Sequence, residues 1–184
     1  MKVCSFFGHH AINSKEIVRE KISLIISDLI NINFSTLLVG CHGDFDKLVL
    51  EELIKAKKLN CHIEIRLIFT TLTFLKPKYF DYVESLREKG VQTKIYEIES
   101  TYYKNKIIFS NKCMLNESQY AVFYVDESQK QSGAKSILKL AKKNNINYLN
   151  LFSISDNPLY DLTHEEFREK LKEFLNDNSF LGTF

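Results

Sequence analysis

Short apolar runs alternate with segments whose apolar residues recur every three or four positions. Residues 2–7 form such a run and are ended by Gly8, which predicts a buried strand. Val18, Ile22, Ile25, Ile26 and Leu29 then follow at helical spacing. Asn13, with Glu16 three residues on, predicts the start of that helix, the Asn13 side chain accepting backbone N–H bonds. Residues 35–39 predict a second strand ended by Gly40, and Asp44 caps a helix with Val49, Leu53 and Ala56 on its inner face. Residues 62–69 predict a third strand. Pro77 opens a helix through Tyr82 and Leu86, closed by Gly90, and residues 91–98 predict a fourth strand.

The second half repeats the pattern. Residues 104–116 predict a helix with Ile107, Ile108, Met114 and Leu115 as its apolar positions, and residues 120–125 a nearly all-apolar fifth strand. Ala134, Ile137, Leu138 and Ala141 form the i, i+3, i+4, i+7 stripe of the next helix. Residues 146–152 predict a sixth strand. Thr163 and Glu166 form a capping-box pair before Phe167, Leu171, Phe174 and Leu175, so residues 160–184 predict a C-terminal helix packing on the rest.

Strands apolar on both faces that alternate with helices predict a doubly wound, mainly parallel α/β sheet, Rossmann-like, with helices on both faces. No linker or repeat interrupts residues 1–184, which predicts a single domain. Right-handed crossovers put every strand-to-helix loop at one edge, and ligands of such sheets bind there.

That edge carries Gly8-His9-His10, then Gly40-Cys41-His42-Gly43-Asp44-Phe45-Asp46, then Thr70, and later Ser132-Gly133. Glycines at strand ends allow close approach of a ligand to the backbone, and helix N-termini suit phosphate. Gly8, Gly40, Gly43 and Gly133 should therefore lie at one edge, with backbone donors near Gly43 and Gly133 holding phosphate. Asn111 and Lys112 from the facing helix, with Lys135, add an amide and charge. His9 or His10 is a hydrogen bonder whose titration would make affinity fall with rising pH. There is no Gly-x-Gly-x-x-Gly and no Gly-x-x-x-x-Gly-Lys-Ser/Thr, which argues against a standard dinucleotide enzyme and a P-loop NTPase.

Several residues admit two roles. Asp46 either sits in the first turn of its helix or binds a sugar hydroxyl; Asp46, His9 and His42 are the candidates for acid–base catalysis. Cys41 is a nucleophile or a small pocket-lining residue. The spacing of His9, His10, Cys41 and His42 matches no metal-ligand pattern, so neither metal nor cofactor is expected.

Lys and Arg number 25 against 23 Asp and Glu, a net charge of +2, which predicts no strong non-specific nucleic-acid binding. No run is long and apolar enough to span a membrane, and no basic, then apolar, leader opens the chain. The four cysteines form no Cys-x-x-Cys pair, consistent with a reduced, cytoplasmic protein.

Three blocks resemble a known family. Cys4-Ser5-Phe6-Phe7-Gly8-His9-His10 resembles the opening of small bacterial YpsA-like proteins of the SLOG superfamily, whose first strand ends in Gly-His-Arg. The stretch from Val39 through Gly40, Phe45 and Asp46 to Val49 resembles their second block. The stretch from Asn111 through Ser118 to Val122 resembles their third, and Ser132-Gly133-Ala134 their late glycine turn. The resemblance covers most of residues 1–152. It implies a Rossmann-like fold that binds nucleotides or nucleotide-derived molecules. The superfamily includes LOG-type phosphoribohydrolases, DprA-type DNA-processing proteins and ligand-sensing domains of antiviral systems. His10 stands where the family has arginine, a better bidentate phosphate partner. The Pro-Gly-Gly-x-Gly-Thr motif of the LOG enzymes is absent.

The expected function is binding of a nucleotide-derived small molecule, sensing or sequestering a signal such as an ADP-ribose derivative or a cyclic nucleotide, in defence or anti-defence signalling. The alternatives are a hydrolase of nucleotide N-glycosidic or phosphate bonds, and a scaffold with a vestigial pocket. For the last, the aromatic segment at residues 72–82, with Phe74, Tyr79 and Phe80, is the pointer. Expected partners are the small molecule and further copies of the chain, with no membrane and no nucleic acid.

Overall fold

The computed structural model describes residues 2–70, 77–96, 102–129 and 132–152, and residue 169. The chain runs β1 (Lys2–Gly8), α1 (Lys15–Asn31), β2 (Phe34–Val39), α2 (Asp44–Leu59), β3 (Glu64–Phe69), a 3-10 turn (Pro77–Tyr79), α3 (Phe80–Glu88), β4 (Val91–Ile95), α4 (Tyr103–Glu117), β5 (Tyr120–Tyr124), α5 (Gly133–Lys143) and β6 (Asn147–Asn150). The strands form one six-stranded sheet in the order β4-β3-β2-β1-β5-β6. Every pairing is parallel. The expected doubly wound α/β fold is therefore present.

Alternation along the central strands feeds two cores. Cys4 and Phe6 of β1 pack with residues of α1, α2 and α3. Val3 and Phe7 pack on the other face with Met114 and Leu115 of α4 and with Ile137 and Leu138 of α5. A strand covered on both faces has no solvated side, which is why β1 reads as a continuous apolar run. Its buried polar residue, Ser5, is satisfied: its Oγ lies 3.0 Å from the Met114 carbonyl and 2.5 Å from the Ser118 hydroxyl.

The register also fixes where a ligand can enter. β1 pairs with β2 on one side and β5 on the other, and Gly8 lies opposite Tyr124. Chain order reverses across β1, so the loops after β1 and β5 diverge and leave a crevice at their carboxyl ends.

Some boundaries differ from the sequence reading. The cap of α1 is Ser14, in the left-handed region at φ 57°, not Asn13. The cap of α2 is Gly43, and Asp44 is its first helical residue, so Asp44 does not cap. β3 begins at Glu64 rather than residue 62 because Ile63 N–H closes a turn on the Asn60 carbonyl at 3.3 Å. β4 ends at Ile95, β5 at Tyr124 and β6 at Asn150, each short of the expected run. The C-terminal helix expected at 160–184, with its Thr163–Glu166 box, lies outside the described residues apart from residue 169, as does Phe74.

Candidate functional site

The site begins where α2 meets the end of β1. A Cβ on Gly8 would stand 2.3 Å from Cγ of Phe45, which is fully buried and stacks on Tyr124 with centroids 5.8 Å apart. Only glycine lets the first turn of α2 sit this close over the β1–β5 seam. The two loops beside it are stitched together. Asp44 N–H donates to the His10 carbonyl at 2.8 Å, and His10 Nδ1 donates to the His42 carbonyl at 2.5 Å. A Cβ on Gly43 would come within 2.7 Å of His10 Cα. Asp44 itself turns outward and pairs with Lys15 at 2.8 Å.

Asp46 braces this block from inside. Its Oδ2 accepts from His42 N–H at 2.8 Å, and its carboxylate also receives the Gly43 N–H. Burial pushes its carboxyl up to about 6, against those backbone donors, which pull it down. The N-terminus of α2 is thus largely filled by its own chain, and its amides near Gly43 are not the free phosphate donors that the sequence suggested.

The N-terminus of α5 is different. Ser132 caps it, its Oγ accepting from Lys135 N–H at 3.0 Å. The Gly133 and Ala134 N–H groups have no partner among the described residues, and a Cβ on Gly133 would meet nothing within 4 Å. These are free donors at the positive end of a helix, facing open space.

Between the two helix starts lies a cavity of about 310 Å³. Its floor is Phe6, Phe7, Gly8 and Gly40; His42, Gly43 and Asp46 form one wall, with the His9-His10 loop at the rim. Ser132, Gly133 and Ala134 form the opposite end. α4 crosses the top with Lys104, Ile107, Ile108 and Asn111. That volume is at the small end of ligand pockets, and the mix of apolar floor and a few polar groups is typical of them. Gly8, Gly40 and Gly133 share this edge, as the fold argument requires.

Other expected residues take structural places. His9 is buried, and its ring packs edge-on against Tyr124 and Phe152 while Nε2 accepts the Asp126 N–H at 2.7 Å. Burial lowers its pKa, so the ring is a neutral strut under the Asp126 loop rather than a free base. Cys41 lies 3.8 Å from His42 Nε2, but burial and the nearby Asp46 push its thiol up to about 12, which leaves no thiolate for nucleophilic attack. Thr70 is buried outside the cavity lining. Lys112 is exposed about 100° around α4 from Asn111, off the face that lines the cavity, so it does not supply the cleft's charge. Lys135 spends its ammonium on the Glu127 and Gln129 carbonyls at 2.5 Å each. Among the described residues no three His, Cys, Asp or Glu side chains converge on a common point, and no helix is long and apolar enough to cross a membrane.

The sequence reading missed Phe6, Phe7 and Ala134 as site residues, and with them four residues of α4. Lys104, Ile107 and Ile108 stand at i, i+3, i+4 with Asn111 at i+7, a stripe that marks the cleft-facing side of α4. Tyr103 closes the rim: its hydroxyl lies 3.1 Å from His42 Nδ1, and the rings meet edge to face. Burial, then the neighbouring His10, lowers the His42 pKa. Farther back, Asn150 clamps the end of β5 by accepting from Val125 N–H at 3.0 Å and donating to its carbonyl at 2.9 Å.

The molecule so described is a Rossmann-like α/β protein with a small cleft at the point where its strand order reverses. Its fold is similar to that of DNA processing protein A (DprA) from Streptococcus pneumoniae, with a TM-score of 0.57 at 12% identity over 84% of this chain and 53% of that one. An uncharacterized protein of Methanocaldococcus jannaschii is 34% identical over 85 residues, 45% of this chain and 29% of the relative. The chain thus spans less than a third of that relative and about half of the DprA chain. No protein-family model matches the chain.

Proposed function

We propose that the protein binds a nucleotide-derived small molecule in the cleft between β1, α4 and α5, as a sensor or store of a nucleotide signal. The observation that carries this reading is the pairing of free N–H groups at the start of α5 with an anchored carboxylate, Asp46, across one cavity. The two ends differ in sign, which orients a ligand. The α5 amides favour phosphate, and Asp46 repels it but accepts sugar hydroxyls. Asn111 lies between them, able to donate and accept. The likeness to DprA supports the Rossmann-like fold, and the blocks that resemble YpsA-like proteins point to the small nucleotide-binding members of the SLOG superfamily.

Thermal shift against AMP, ADP, ADP-ribose and cyclic mononucleotides tests this. A ligand at about 100 times its Kd adds about 2.7 kcal/mol, or about 5–10 °C for a chain of this size. No shift with any of them at millimolar concentration contradicts the reading.

A hydrolase is the second reading, favoured by a carboxyl lifted to about 6 at the cavity wall, within the range of a general acid or base at neutral pH. Its test is product formation from ADP-ribose or AMP over long incubation, abolished in Asp46→Asn. Intact substrate with wild-type protein excludes it.

A further inference from the structure

The main cavity does not end at α5. A second cleft of about 320 Å³ shares Lys104, Ile108, Ser132 and Gly133 with it, and continues over Lys135, Ser136 and Lys139. No carboxylate among the described residues lines this extension. Lys104 and Lys139 are exposed and have no ion-pair partner among the described residues. Two other lysines of α5 are spent, Lys135 on two loop carbonyls and Lys142 on Glu127 at 2.7 Å. Two unpaired ammonium groups thus face one concave space, at the end of the main cavity that already suits phosphate. The opposite end holds Asp46.

We propose that the natural ligand carries a second anionic group beyond the first phosphate, and that this group lies in the cleft between α4 and α5, over Lys104, Ser136 and Lys139. This rests on the nucleotide reading above. A nucleoside diphosphate or a pyrophosphate-linked nucleotide has the required chemistry. A ligand with a single phosphate fills only the main cavity and leaves both lysines without a counter-charge. The small net charge, +2, and a cleft that offers only two such lysines favour a small molecule over a nucleic-acid strand, which needs a basic track many phosphates long.

The test is titration calorimetry of AMP and ADP on the full chain, wild type, Lys139→Met and Lys143→Met. Lys143 lies on the same helix outside both clefts, so its variant removes the same charge without touching the subsite. The proposal expects ADP to bind about tenfold more tightly than AMP in wild type and in Lys143→Met. In Lys139→Met the advantage should fall below about threefold, and in wild type it should shrink as salt rises. Equal affinities for AMP and ADP in wild type overturn the second subsite and leave the nucleotide reading standing. Equal loss in Lys139→Met and Lys143→Met also overturns it, since the effect is then net charge alone. Binding of neither nucleotide overturns both. An oligothymidylate bound far more tightly than ADP, with a steep salt dependence, overturns the small-molecule ligand in favour of a strand.

Discussion

Asp46 and Gly8 show how single side chains, or their absence, set this site. Asp46 holds a carboxylate where burial resists its charge, so the folded protein binds its proton more tightly than the unfolded chain does. Between pH 4 and 6 the folded state therefore carries more protons, and this group's contribution to stability falls as pH rises through that window. The shift from 3.8 to about 6 limits the effect to about 3 kcal/mol. Asp46→Asn keeps a carbonyl oxygen for the His42 N–H and removes the charge. Denaturant unfolding should find it close to wild type at pH 4 and about 1–3 kcal/mol more stable at pH 7.5. A variant less stable at both pH values contradicts that. His9 acts in the opposite sense: burial depresses its pKa, so stability falls as pH drops below the usual imidazole value of about 6.5, and His9→Gln should flatten that acid limb. Gly8→Ala drives a methyl group into the Phe45 ring and should cost about 1–3 kcal/mol of stability in the same measurement.

The two helix starts at the cleft look alike in sequence and behave differently in the fold. Gly43-Asp44 and Ser132-Gly133 both read as glycine-marked N-termini, yet α2 is closed by Asp46 and the His10 carbonyl while α5 leaves its first amides free. Sequence could not separate them, because the groups that fill α2 come partly from another loop. The helix and strand pattern itself was legible, since the buried stripe of Ala134, Ile137, Leu138 and Ala141 and the two-sided run of β1 follow directly from period and polarity. The tilt of α4 was not. Lys112 was expected in the cleft, and Lys104 occupies it instead, because Met114 and Leu115 dock on the α5 side of the sheet and fix which face turns inward. Substitutions at α5 separate capping from binding. Ser132→Ala removes the bond to Lys135 N–H and should cost about 1 kcal/mol of stability. Gly133→Val has room for its side chain and no positive φ to relieve, so its melting temperature should stay within about 2 °C of wild type. Its branched side chain crowds the free amides, so nucleotide affinity should fall at least about tenfold by calorimetry.

For the whole molecule, the strand order is what makes a cleft from otherwise ordinary loops. β1 lies between β2 and β5, the loops after β1 and β5 part, and the inner surfaces of α4 and α5 close the space above them. The site could be located from the sequence only as an edge, because which loops face each other depends on contacts between residues more than a hundred positions apart, such as His9 with Asp126. The central claim is that this crevice holds a nucleotide with phosphate on the start of α5. Titration of isotope-labelled protein with AMP, followed by amide chemical shifts in two-dimensional NMR, tests it most directly. The account predicts saturable shifts largest at Gly133 and Ala134, with smaller ones at Gly8, His42 and Asn111, and none at the far edge along β4. An unchanged spectrum, or saturable shifts confined to β4 and α3, would contradict it.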